Sequence, residues 1–256
     1  MKRKFKIKIP KILNIKQINN FFKLKELIQK KNKNKTIKTL PPNLSKLYVL
    51  YQLIRLNNRI SILELGSGWS SLFLSDALNH NKILNKQKLY NFGFSKPYEF
   101  ISVDNSTKYL NISRTRLKKH KKFKIINKWV LSKVETSLYN NKICTFYRDL
   151  PSCQPDFIYL DGPDLFNIKK NKKFEFSTDH PNSLAMSGDI LRIEFFLLPG
   201  TMLVVDGRGG NVEFLRKNFK RKWQYKYLKY TDQHILLLNE KPIGKKNINL
   251  LKFYNF

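Results

Sequence analysis

Cysteine is almost missing from this chain: Cys144 and Cys153 are the two among 256 residues. Two thiols build neither a disulfide framework nor a four-ligand zinc site, and such usage fits a reducing, cytoplasmic setting. Acids are scarce too, 18 against 50 lysines and arginines, giving a formal net charge of +32. No apolar run reaches the 18 or so residues of a membrane-spanning helix; the longest, 193–205, is broken by Glu194, Pro199 and Gly200. The basic N-terminus lacks the apolar segment of a secretory signal.

What is present is enough for a real core, with 41% hydrophobic and 13% aromatic residues. The length fits one domain with an arm. The charge invites nucleic acid or an anionic membrane surface as partner, the latter making the protein peripheral to the membrane. Lysine outnumbers arginine 40 to 10, a bias that AT-rich codons also give, whereas phosphate recognition leans on arginine's fork. Residues 1–40 form a basic arm with 14 Lys/Arg and one acid, Glu26. Apolar spacing predicts one amphipathic helix over about 15–30, able to lie on a membrane or dock on the domain. Pro41-Pro42 opens the main domain, 41–256, with a helix over 44–56 capped by Asn43 or Ser45.

The centre of the pattern is 60–71. An apolar strand carries Glu64; Gly66 and Gly68 follow, and a helix starts near Ser70 and runs to about 78. Strand, glycine turn and helix open a doubly wound nucleotide-binding sheet. Residues 79–96 read as an insertion or long connection. Further strands are expected at 99–103, ending in Asp104-Asn105, at 124–130, at 155–160, ending in Asp161, and at 201–205, ending in Asp206. A short extended piece lies at 144–147. Helices are expected at 107–120, 188–198 and 211–219, a polar loop at 164–183, and a closing antiparallel hairpin at 223–230 and 234–239. Alternating strands and helices make a mainly parallel α/β sheet. Glu64, Asp104, Asp161 and Asp206 each sit at or near the C-terminal end of an apolar strand, so a basic chain keeps one acidic rim where such sheets bind ligands.

With these residues in place, the chain from about 44 to 240 resembles the class I S-adenosylmethionine-dependent methyltransferases. Glu64-Leu65-Gly66-Ser67-Gly68-Trp69-Ser70 is similar to that family's first motif, with Ser70 at the place of its third glycine. Asp104 matches its ribose-holding acid, and Asp161 in Tyr-Leu-Asp-Gly-Pro matches the acid beside the transferred methyl. The reversed closing hairpin is also typical of it. Small-molecule and sugar O-methyltransferases are the most similar members. The resemblance implies a Rossmann-like doubly wound sheet, S-adenosylmethionine as cofactor and a small-molecule or sugar acceptor. It implies that Gly66, Ser67, Gly68, Trp69 and Ser70 form the methionyl site, that Glu64 supports the turn or meets the methionyl ammonium, and that Asp104 and Asn105 hold the ribose. An alcohol acceptor needs a base or a divalent metal: His180 is the candidate base, and Asp161 and Asp206, the other two candidate catalytic residues, are the candidates to hold Mg²⁺. Related sugar enzymes often carry a further acid after Asp206; here Gly207 stands there. Arg208 is available for an anionic acceptor. Three rivals stay open: a nucleic-acid methyltransferase gripping phosphates through 1–40, a non-catalytic binding protein of the same fold, and a nicotinamide-dependent oxidoreductase. The last is disfavoured because Ser71 stands at the final glycine of Gly-x-Gly-x-x-Gly.

Overall fold

The computed structural model describes residues 6–24, 41–90, 96–120, 125–163 and 186–254. Seven helices and nine strands are present among them. In chain order they are α1 (Ile15–Leu24), α2 (Leu44–Leu56), β1 (Ser61–Leu65), α3 (Trp69–Tyr90), β2 (Glu99–Asp104), α4 (Thr107–Lys119), β3 (Ile126–Leu131), β4 (Val134–Tyr139), β5 (Lys142–Tyr147), β6 (Phe157–Leu160), α5 (Asp189–Ile193), β7 (Met202–Asp206), α6 (Gly209–Asn218), β8 (Trp223–Leu228), β9 (Gln233–Leu238) and α7 (Gly244–Phe253).

Seven strands make one sheet in the order β3-β2-β1-β6-β7-β9-β8. The first five are parallel; β9 runs antiparallel to β7, and β8 antiparallel to β9, so that β9 alone is reversed in the sheet. The fold is therefore a doubly wound α/β sheet of Rossmann-like type. Chain order reverses direction between β1 and β6, and open α/β sheets bind ligands at the carboxyl ends beside such a switch point.

Strand alternation sorts the core into two layers. Ile62, Phe100, Phe157, Val204 and Leu237 face α1, α2, α3 and α7. Leu63, Leu65, Val103, Leu203 and Leu236 face α5, α6 and the β4–β5 hairpin. The described part of the arm docks on the domain: Ile18 and Phe22 are buried in the first layer, and the Phe22 ring meets Phe73 at 4.5 Å. The Asn57 side-chain amide and the Lys8 backbone exchange hydrogen bonds. No helix among the described residues is long and apolar enough to cross a membrane.

Several expectations need correction. Residues 79–90 are not an insertion but the second half of α3. Their Lys, Gln and Leu content favours helix, and buried Asn81 ties the middle of α3 to the Ile54 and Arg59 carbonyls. The extended piece at 144–147 is one strand of a hairpin whose partner, β4, went unread. Its two-residue turn, Asn140-Asn141, has both φ values positive, the type I′ geometry that asparagine accepts. The segment 188–198 holds only a short α5 followed by a 3₁₀ turn, and α7 was not anticipated.

The amino-terminal edges of β1, β6 and β7 are fixed by a buried pair. The Asp156 carboxylate accepts the Ile60 and Ser61 N–H groups at 2.9 Å each. Arg59, fully buried, donates to the Asp156 and Gly200 carbonyls. Removing one partner strands the other's charge, so Asp156→Ala is expected to cost about 3–5 kcal/mol in urea unfolding; a loss under about 1 kcal/mol would contradict this account.

Candidate active site

At the switch point the turns after β1 and β6 press together. Gly66 N–H donates to Val103 O at 2.8 Å, and the Asp161 and Gly162 N–H groups both reach Leu65 O. Gly66 has φ +97°, and a Cβ on it would stand 2.5 Å from Gly162 N. Gly162 is confined in turn: its Cβ would meet the Tyr147 hydroxyl at 2.6 Å. Gly68 differs, since a Cβ there finds its nearest neighbour 3.9 Å away, at Ser70 Oγ. Gly66 is thus a packing requirement, whereas Gly68 leaves open space beside the start of α3. The positive dipole end of that helix lies there. Helix α4 braces the same turn: Ser113 Oγ donates to Gly68 O, and the Arg116 guanidinium lies 3.7 Å over the Trp69 ring.

Glu64 is not a rim group. It is wholly buried, and its carboxylate accepts three serine hydroxyls, Ser70, Ser71 and Ser102, at 2.6 Å each. These contacts tie the end of β1 to the first turn of α3 and to β2. Burial pushes the Glu64 pKa up to about 7, opposed by the three hydroxyls and assisted by Asp104. Asp189, buried under the Tyr147 N–H and Ser187 hydroxyl, is likewise raised by burial to about 7. Both carboxyls bind protons more tightly folded than unfolded. Their stabilising protonated form is kept below the unfolded values of 4.5 and 3.8 and is lost as pH rises through about 7. Glu64→Gln is therefore expected to flatten the fall in melting temperature between pH 5 and pH 8. An identical slope in wild type and variant would contradict it.

Asp104, at the end of β2, is 4% exposed. It accepts the Ser67 N–H and hydroxyl on one oxygen and the Ser106 N–H on the other. Next to it, both amide atoms of Asn105 are buried without a hydrogen-bond partner. The Tyr147 hydroxyl, under Gly162, is in the same state. Such groups are costly unless something satisfies them.

Asp161 and Asp206 end the neighbouring strands β6 and β7. Asp161 is exposed as a residue, while the protein around its carboxyl, then Asp206, push it up to about 7 against Arg208 and Lys46. Asp206 is also raised by burial, opposed first by Lys46. Lys46, from α2, places Nζ 3.3 Å from Asp206 Oδ2, and nothing in the sequence reading pointed to it. The Arg208 guanidinium clamps the Gly162 and Pro163 carbonyls at 3.0 and 2.8 Å. His180 lies outside the described residues. Among the described residues no three His, Cys, Asp or Glu side chains come together to hold a metal ion. A cavity of about 160 Å³ at the opposite edge of the sheet, near Asp156 and Pro199, contains none of these groups.

No protein-family model and no curated protein matches the chain. Among solved structures, it is similar to a methyltransferase from Geobacter sulfurreducens at 11% identity, covering 91% of this chain and 100% of that one with a TM-score of 0.48. An O-methyltransferase from Streptomyces achromogenes, solved with S-adenosylmethionine, matches at 13% identity, 89% and 100% coverage and TM-score 0.44. One from Bacillus cereus, solved with S-adenosylhomocysteine, matches at 12% identity, 88% and 90% coverage and TM-score 0.42.

Proposed function

We propose that the protein is an S-adenosylmethionine-dependent methyltransferase acting on a hydroxyl of a small molecule or sugar. One observation carries this reading. At the switch point, an open glycine turn, a helix start and an acid at the end of β2 converge where the Asn105 amide is buried with no partner. A nucleoside bearing a carboxylate fits that set: hydroxyls for Asp104 and Asn105, and an anion for the first turn of α3. The cofactor would be held by Gly66, Ser67, Gly68, Trp69, Asp104 and Asn105, and it supplies a methyl group on a sulfonium, already activated for displacement.

The chain's part is then placement and proton removal. Asp104 orients the ribose through one oxygen while the Ser67 and Ser106 contacts keep the turn closed. Asp161, the exposed carboxylate nearest the β1–β6 junction, takes the proton of the acceptor hydroxyl. Asp206 lines the same end of the sheet. The packed glycines keep the two turns from moving apart when ligand enters.

The test is transfer of labelled methyl from S-adenosylmethionine to a panel of small polyols, sugars and phenols, with RNA as a parallel acceptor. Label in a small-molecule hydroxyl, lost in Asp161→Asn, supports the reading. Label in RNA alone overturns the choice of acceptor.

A further inference from the structure

Lys46 stands in the first turn of α2, three residues after its cap Asn43, whose side chain accepts the Lys46 N–H. That turn contains no acid. A cation there works against the helix dipole, and the position favours glutamate or glutamine. Local helix chemistry therefore does not account for lysine. Its contacts do. The ammonium reaches 160 residues along the chain to Asp206 Oδ2. The pair is shielded, with side-chain exposures of 23% and 15%. Gln233 at the start of β9 donates to the Lys46 carbonyl, so α2 is registered against the end of the sheet at this residue.

Gly207 belongs to the same arrangement. Its φ is +58°, and a Cβ on it would lie 3.5 Å from Lys46 Nζ and 3.1 Å from Asp232 Oδ2. Asp232 is itself left-handed, at φ +48°; it accepts the Tyr227 hydroxyl, and its carbonyl accepts the Gly207 N–H. An acid in place of Gly207 would drive a third carboxylate into space that the lysine and Asp232 share. A cation beside gathered carboxylates favours their ionised form, and either a metal or a side chain can supply it.

We infer that Lys46 is a built-in cation at the acceptor end, a positioning residue that holds Asp206 in the place a divalent ion would otherwise take. This rests on the methyltransferase reading for its consequence, which is acceptor chemistry without a divalent metal. The ion pair itself does not depend on that reading. Arginine preserves the cation; methionine keeps the stem and removes the charge.

The experiment measures water-proton relaxation of Mn²⁺ with the full chain, alone and with S-adenosylhomocysteine. Wild type and Lys46→Arg are expected to show no bound Mn²⁺ up to about 1 mM, the weak end of protein sites for hard cations. Lys46→Met and Lys46→Gln are expected to gain a site at least tenfold tighter, and adding Asp206→Asn to either is expected to remove it. Lys46 is partly exposed, so these replacements leave the core intact, and wild-type circular dichroism verifies this. Mn²⁺ binding by wild type that Asp206→Asn abolishes overturns the inference, as does no gain in either neutral variant. Failure of S-adenosylhomocysteine to bind any form overturns the methyltransferase reading alone and leaves the Mn²⁺ comparison valid.

Discussion

Gly66→Ala is expected to destabilise the protein by at least about 3 kcal/mol and to abolish measurable S-adenosylhomocysteine binding. Two costs add. Residues with a side chain pay about 1–3 kcal/mol in a sparsely populated region of positive φ, and Gly66 sits at +97°. The new methyl would also stand 2.5 Å from the Gly162 backbone nitrogen. Gly162 has nowhere to retreat, because the Tyr147 hydroxyl lies behind it and Arg208 clamps its carbonyl. Separating the turns would break the bonds from Asp161 and Gly162 to Leu65 O. Gly68→Ala is the matched control. Its methyl meets nothing closer than 3.9 Å, so urea unfolding is expected to shift by less than about 1 kcal/mol, while a ligand lying against that backbone is displaced. Loss of stability without loss of binding in Gly66→Ala would contradict the account of the turn.

Glu64→Ala is expected to cost about 3–5 kcal/mol in urea unfolding, among the largest effects of any single polar replacement here. The carboxylate is the acceptor for Ser70, Ser71 and Ser102. Truncation leaves these hydroxyls facing a cavity too confined to rearrange, and each unsatisfied buried group costs about 1–3 kcal/mol. Glu64→Gln keeps one acceptor oxygen and most of the volume, and is expected to cost less than half as much. The ordering matters more than the values. If alanine and glutamine were equally tolerated, Glu64 would not be the support of the β1–α3 turn.

The sheet was legible because its strands are apolar runs stopped by an acid and a breaker. The helix over 44–56 and the strands ending in Asp104, Asp161 and Asp206 follow from that punctuation. Side-chain direction was harder. Glu64 lies one residue before the end of β1, so the two-residue alternation turns it away from Leu63 and Leu65 and toward α3. That signal is in the sequence, masked by the strand-end position that Glu64 shares with the three aspartates. The Asn140-Asn141 turn was equally visible and overlooked. The second half of α3 was hidden by polarity: among its described buried residues Asn79 and Asn81 are polar, beside Leu89. Lys46 was not legible: a single lysine in a helix turn becomes significant only when the fold carries α2 to the end of β7.

The central claim is that a nucleoside cofactor sits on the ends of β1 and β2. The direct measurement is calorimetric titration of the protein with S-adenosylhomocysteine, beside Asp104→Ala. The account predicts one site per chain, weakened at least tenfold by the substitution, or about 1.4 kcal/mol. Absence of binding by wild type, or equal binding by the variant, would contradict it.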